Sequence, residues 1–248
     1  MRLTENIYLV GSGKFGFALS NMVDCNIYLV DTGEGFVLID SGCGMDNGRI
    51  EKIITSHGFA LSELKAIFLT HYHADHACGA EYFHQKSGCR VLIAESECRA
   101  VREGDEYATS LIGAKGHAYP SDYSYTACPA AEGLADGETV TFGRVSFTAR
   151  YVPGHSLCDM VLTVEIDSRS CLFSGDAVFA NGEILLQSLY DVSVKPYYDA
   201  VAALSQQHFD ALFPGHGLFV LSHADWHIKK CFQGFADGFV PKQLHFFN

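Results

Sequence analysis

Short apolar runs recur along the chain, and nearly every one ends in a turn-prone or polar residue. In the first half they are "NIYLV" at 6–10, "NIYLVD" at 26–31, "GFVLID" at 35–40, "KAIFLT" at 65–70 and "RVLIAE" at 90–95. Their length and their β-branched and aromatic content predict strands. Between them "GRIEKIITSHG" places Ile50, Ile53 and Ile54 at i, i+3 and i+4 before Gly58, and "HACGAEYFHQKSG" closes on Gly88. Both read as helices ending on glycine. The second half adds the strands "TVTF", "VSFTARYV", "MVLTVEI" and "SCLFSG", then a helix "KPYYDAVAALSQQ", a strand "FDALFP" and a last helix from about Ser222 to Phe235. Alternating elements in the first half and hairpin-like pairs in the second predict an α/β fold of two mixed sheets covered by helices.

No low-complexity linker divides residues 1–248, which are read as one domain. Residues 101–134 break the rhythm. The segment is aromatic, glycine-rich and too long for a plain connection, so it is expected to be a lid or pocket wall. The glycines of "VDTGEGFVLID" mark a turn between two strands. "GSGKFG", residues 11–16, has the look of a phosphate loop but lacks the G-x-x-x-x-G-K-[ST] spacing, and is read as a hairpin turn.

Composition narrows the function. The 248 residues carry a formal net charge of -12, which repels phosphate backbones and anionic lipid, so nucleic acid is excluded as a bulk partner. The start "MRLTENIYLVGSG" lacks the apolar core of a signal peptide, and no run approaches about 18 apolar residues. The expectation is a cytoplasmic protein with no membrane contact. Nine cysteines, an odd number with no C-x-x-C pair, argue against a disulfide scaffold and for free, packed thiols in a reducing compartment. Cys158, in "PGHSLCD", is read as such a thiol.

The chemistry gathers where apolar runs stop. "KAIFLT" leads into His71, His73, Asp75 and His76; "FTARYV" into His155; "SCLFSG" into Asp176; "FDALF" into His216. If these strands lie side by side, the seven residues collect at one sheet edge, where loops on a rigid scaffold build sites. His71, His73 and Asp75 alternate, so an extended backbone would point them one way while His76 points elsewhere. Imidazole and carboxylate without cysteine suit Zn²⁺, and also Mn²⁺ or Fe²⁺. Seven ligands are too many for one tetrahedral ion and suit two divalent ions sharing a carboxylate.

"THYHADH", then "PGH", "SGD" and "PGH" in that order, resembles the metallo-β-lactamase fold superfamily of metallohydrolases over roughly residues 26–217. The resemblance implies a four-layer αββα sandwich with a dinuclear site at one edge. It implies that His71, His73 and His155 bind one metal, that Asp75, His76 and His216 bind the other, and that Asp176 bridges. It also implies that Asp40, in "LIDSG", orients ligands, although turn-capping would explain an aspartate there too. The expected reaction is hydrolysis of a small-molecule ester, thioester, lactone or phosphodiester by a metal-bridging hydroxide, with Asp75 also passing a proton to the leaving group.

Departures from subfamily patterns refine this. True metallo-β-lactamases lack the bridging aspartate. Glyoxalase II enzymes share every ligand but carry a longer C-terminal helical domain than the 32 residues after His216 provide. Quorum-sensing lactonases place a tyrosine three positions after the bridging aspartate, where this chain has Phe179, leaving Tyr72, Tyr190 or a tyrosine of 101–134 to act as substitute. Nucleases carry an extra domain or RNA-binding arm, and flavodiiron proteins a glutamate at the position of His73. The alternative of a different class resembles persulfide dioxygenases: a mononuclear iron-dependent oxygenase of a thiol or persulfide substrate. Outside the set, His223 and His227 are expected to be a surface or interface pair and His117 an exposed loop residue. The aromatic tail "QLHFFN" is expected to pack on its own domain, or else on a second copy in a homo-oligomer.

Overall fold

The computed structural model describes residues 1–187 and 191–244. Six strands form the first sheet in sequence order: β1 (Ile7–Gly11), β2 (Ile27–Asp31), β3 (Phe36–Ile39), β4 (Leu64–Phe68), β5 (Arg90–Ala94) and β6 (Ala131–Leu134). The pairs β1–β2 and β2–β3 are antiparallel, and β3 to β6 run parallel. Parallel neighbours need crossovers. These are the helices α1 (Asn47–Ser56), α2 (Ala74–Ala77), α3 (Ala80–Ser87) and α4 (Glu95–Glu103). After α4 the chain makes a short α5 (Leu111–Ala114) before β6. The second sheet has the order β11-β10-β9-β8-β7, with β7 (Thr139–Phe142), β8 (Val145–Val152), β9 (Asp159–Ile166), β10 (Arg169–Gly175) and β11 (Ala211–Pro214). Only the β10–β11 pair is parallel, and α6 (Val194–Leu204) makes its crossover. The helix α7 (Ala224–Ala236) packs against α6.

The apolar runs are continuous because strands of the first sheet are buried on both faces. In β4 and its extension Ala66 and Phe68 point between the sheets, while Ile67 and Leu69 point toward the helices. β3 repeats the pattern with Val37 and Ile39 inward and Phe36 and Leu38 outward. From the second sheet Phe147, Met160, Leu162, Phe173 and Phe213 fill the same inter-sheet layer. Leu172 and Leu212 instead meet Tyr197, Val201 and Ile228 of α6 and α7. The result is an αββα sandwich with three apolar layers, in which each fully buried Phe contributes about 1.5–3 kcal/mol. Phe173 and Phe213 stack at 4.9 Å, and Tyr28 of the first sheet meets both edge-on.

Polar ties join the sheets just beneath the site. The Tyr28 hydroxyl donates to Pro214 O at 2.8 Å, and the Asn26 backbone N–H donates to Gly215 O at 2.6 Å. All nine cysteines are buried free thiols divided among the three layers.

Three local expectations need correction. The predicted helix over 76–88 is two helices, because the chain turns at Cys78–Gly79, where a Cβ on Gly79 would lie 2.0 Å from Ser41 O. Residues 101–134 are more regular than their composition implied: they contain the end of α4, α5, and β6, whose "AEGL" has no strand-like pattern and pairs only as an edge beside β5. "GSGKFG" is no tight hairpin turn either. It opens the long excursion 12–26 between β1 and β2. His245 and the end of the aromatic tail lie outside the described residues, as does Tyr190. Among the described residues no helix is long and apolar enough to cross a membrane.

Candidate metal centre

Every candidate ligand sits just past a strand end on one edge of the sandwich. Asp40 follows β3, the cluster from His71 to His76 follows β4, His155 follows β8, Asp176 follows β10 and His216 follows β11. The extended-backbone expectation for the first cluster holds only through His73 (φ -61, ψ 147). Helix α2 begins at Ala74, so Asp75 is turned away from His71 and His73 and joins His76.

Two groups of donors result. In one, His73 Nδ1 lies 3.0 Å from His71 Nε2 and 3.1 Å from His155 Nε2. That spacing suits nitrogen ligands about 2.0–2.1 Å from a common centre. In the other, Asp75 Oδ2 lies 3.2 Å from His216 Nε2 and 3.6 Å from His76 Nε2. Asp176 touches both groups, with Oδ2 at 3.5 Å from His155 Nε2 and 3.4 Å from His216 Nε2, and Oδ1 at 3.5 Å from His76 Nε2.

The outer nitrogens are held by neighbours, which assigns the tautomers. His155 Nδ1 donates to Leu185 O at 2.7 Å, and His76 Nδ1 donates to Asp40 Oδ2 at 2.9 Å. His71 Nδ1 lies 3.2 Å from Thr70 Oγ1 and 3.6 Å from Asp159 Oδ1. Each Nε2 therefore turns a lone pair inward. His76 Nε2 and Asp176 Oδ1 are buried without a hydrogen-bond partner. A lone pair facing two carboxylates in a dry site is repulsive unless a proton or a metal ion sits among them. On that observation the residues fit a metal centre.

Burial alone would lower His76 and His216, but the carboxylates around them outweigh it and raise both, so a metal binding there has to displace protons. Burial, and then the adjacent imidazoles, pull His71 well below the ordinary histidine range, leaving it neutral as a ligand must be. Burial alone would raise Asp75, but His76 and His216 outweigh it and hold the carboxyl well below its usual range. Cys25 also lies near Asp40 and His76. Burial pushes its thiol far up, so it stays protonated and packed.

Asp40 sits at φ 62, in the left-handed region, at the end of β3. Its carboxylate accepts from Thr70 N at 2.8 Å, from Thr70 Oγ1 and from His76 Nδ1. Of three acidic residues not anticipated from sequence, Asp159 and Asp191 face candidate ligands and Glu97 holds the backbone beside them. Asp159 lies beneath His71. Asp191 lies 3.5 Å from His73 Nε2 and accepts from the hydroxyls of Tyr72 (2.8 Å) and Ser110 (3.3 Å). Glu97 accepts from Tyr72 N, Ser156 Oγ and Cys158 N, and burial followed by the Asp159 charge pushes its carboxyl well up. Asp159 could have been noticed at the foot of the "PGHSLCD" stretch; Asp191 and Glu97 carry no spacing signal.

Above the donors lies a cavity of about 220 Å³ whose floor is formed by His73, Asp75, His155, Asp176 and His216. One wall is Lys14, Phe15 and Val23 from the 12–26 excursion. The opposite wall is Ser110, Leu111, Ala114, Ala118 and Tyr119 from the segment 101–134. The Tyr119 hydroxyl donates to Asp75 Oδ1 at 3.1 Å, its ring stacks on Tyr123 at 4.8 Å, and burial and Asp75 push its phenol well up, so it is a neutral donor. Tyr72, by contrast, is buried with its hydroxyl committed to Asp191, and Phe179 offers no hydroxyl. His117 is exposed and does not line the cavity. His227 Nδ1 accepts from Asn181 N on the surface, away from the centre.

A family model described as "Metallo-beta-lactamase superfamily" matches residues 21–216. Among curated proteins the chain is 29% identical over 170 residues to "Acyl-coenzyme A thioesterase MBLAC2" of Homo sapiens, covering 62% of this chain and 58% of that protein. It is 24% identical over 199 residues to "Atrochrysone carboxyl ACP thioesterase" of Aspergillus fumigatus, covering 79% and 51%. The chain thus spans about half to two thirds of the length of the curated relatives it matches. Among solved structures it resembles BJP-1, a subclass B3 metallo-beta-lactamase of Bradyrhizobium japonicum, with a TM-score of 0.71 at 21% identity over 96% of this chain and 91% of that one. At that identity the likeness carries the fold alone.

Proposed function

Because the chain belongs to the metallo-beta-lactamase superfamily, we propose that it is a dinuclear metal-dependent hydrolase whose substrate is a small acyl thioester. The observation that carries the two-metal reading is Asp176, whose carboxylate lies within 3.5 Å of nitrogens from both donor groups. His71, His73 and His155 would hold one ion, Asp75, His76 and His216 the other, and Asp176 would span them. Zn²⁺ suits this donor set first, with Mn²⁺ and Fe²⁺ also compatible; such ions would polarise an acyl carbonyl and bring water toward ionisation near neutral pH.

The chain's own residues do the rest. Asp40 and Thr70 fix the His76 imidazole with its Nε2 inward. Leu185 O does the same for His155. Asp75 reaches the cavity floor and is the carboxylate placed to take a proton from the attacking water and pass it to the departing sulfur, while Tyr119 steadies its Oδ1. The walls of Phe15, Val23, Leu111, Ala114 and Ala118 exclude water from an acyl group lying over the donors. Two relatives named as thioesterases favour a thioester over the ester, lactone and phosphodiester that the same centre could attack.

The test is a panel of one thioester, one carboxylic ester, one lactone and one phosphodiester, with metal counted per chain after loading with zinc, manganese or iron. The expected outcome is preferential thioester cleavage with two ions per chain. Asp176→Asn should lower kcat/KM at least about 100-fold and reduce bound metal. Turnover of none of the four, with a single iron and oxygen uptake on a persulfide, would replace this reading with the mononuclear oxygenase.

A further inference from the structure

The stretch "GSGKFG" is absorbed neither by the metal centre nor by the sandwich core, yet it is built with care. Gly13 N donates to Asp24 O and Lys14 N to Met22 O, both at 2.9 Å. Phe17 N donates to Ser12 Oγ at 2.7 Å, and Gly217 N donates to Phe15 O at 2.6 Å. A Cβ on Gly13 would lie 2.4 Å from Asp24 O, so glycine is needed for the chain to close on itself there. The loop is therefore pinned at its base and, through Gly217, to the segment that carries His216.

What it presents is a cation and a ring at the mouth of the cavity. The Phe15 ring stands edge-on to the His216 imidazole at 6.2 Å, and Lys14 Nζ sits 4.6 Å above the Phe15 centroid. Both side chains line the cavity, and Lys14 is solvent-exposed at its rim. Lys86, Lys115, Lys195 and Lys229 each face a carboxylate. Lys14 faces none among the described residues, and it carries the sole lysine or arginine charge among the described residues lining this cavity. In a chain of net charge -12, long-range repulsion would keep an anionic molecule away, and a lysine at the rim of an apolar-walled cleft gives such a molecule a local partner of opposite charge.

We propose that the 11–16 loop is the substrate-selecting element, and that Lys14 receives an anionic group of the thioester while Phe15 shelters the acyl portion beside His216. The anion is a phosphate on the thiol side or a carboxylate on the acyl side. This rests on the thioester reading above and adds to it the charge of the substrate.

The experiment measures binding to the metal-loaded protein of three uncleavable thioethers: S-alkyl coenzyme A, a neutral S-alkyl N-acetylcysteamine, and the latter with a terminal carboxylate. Wild type, Lys14→Ala and Lys14→Arg are compared at low and high salt. The ratio of anionic to neutral affinity should fall about three- to tenfold in Lys14→Ala, should be kept in Lys14→Arg, and should shrink with salt. The arm that responds identifies the phosphate or the carboxylate. An unchanged ratio in both arms overturns the proposal. Cleavage of the corresponding thioesters by wild type is scored separately: a shifted ratio without any cleavage overturns the thioester reading and leaves the anion site standing.

Discussion

At the scale of single residues the centre depends on close approach as much as on ligands. Gly215 precedes His216, and a Cβ there would lie 2.4 Å from Asp176 Oδ1 and 2.7 Å from His76 Cε1. Gly215→Ala should therefore displace Asp176 while leaving the sandwich intact. The expected result is loss of about one metal ion per chain with an unchanged far-UV spectrum; full metal content would show that the contact yields without consequence. Asp40 makes a second case. Asp40→Asn keeps one acceptor for Thr70 but opposes an amide to the His76 Nδ1–H, which should weaken metal affinity about 10–100-fold. Titration with a competing chelator reads this directly, and wild-type affinity would reduce Asp40 to a turn-capping residue. The seven ligand candidates and Asp40 were legible because each follows an apolar run, so that a strand end announces its position. Asp191 and Glu97 were not, because they act through nitrogens and backbone groups that only the folded chain brings to them.

At the scale of elements the strands were legible and the irregular cover was not. The continuous apolar runs of β3 and β4 mark them as strands from sequence alone, whereas "AEGL" becomes β6 only because β5 offers it an edge. The same holds for the cover over the donors. Its length announced a lid or a pocket wall, but composition could not reveal that Ser110 and Tyr72 would share Asp191 with His73, or that Tyr119 would reach Asp75. Asp191 thus ties the segment around α5 to a donor of the metal centre. Asp191→Ala strands two buried hydroxyls and should lower stability by about 2 kcal/mol. More specifically, it should speed amide exchange over residues 105–123 and raise KM more than it lowers kcat, whereas Asp40→Asn should leave that exchange untouched. Equal exchange in the two variants would mean that Asp191 does not hold the cover.

For the molecule as a whole, the donors come from both sheets. His71, His73, Asp75 and His76 follow a strand of the first, and His155, Asp176 and His216 follow strands of the second. A metal bound among them joins the two halves of the sandwich at one edge, adding to the ties that Tyr28 and Asn26 make beneath it. Without a cation, Asp75 and Asp176 turn carboxylates toward the same histidines, and His76 Nε2 and Asp176 Oδ1, 3.5 Å apart, remain buried without a hydrogen bond. Metal that binds only the folded chain stabilises it by about 2.7 kcal/mol at a hundredfold excess over its dissociation constant. For a chain of this size that corresponds to roughly 5–10 °C in Tm. Chelation should therefore lower Tm by that amount, and returning zinc, manganese or iron one at a time should restore it in the order of their fit to nitrogen and carboxylate donors. His71→Ala combined with Asp176→Asn should melt close to the chelated wild type and respond to none of the three. A wild-type Tm indifferent to chelation would mean that the two sheets are held at this edge by packing alone, and that the cluster of buried donors does not capture a metal.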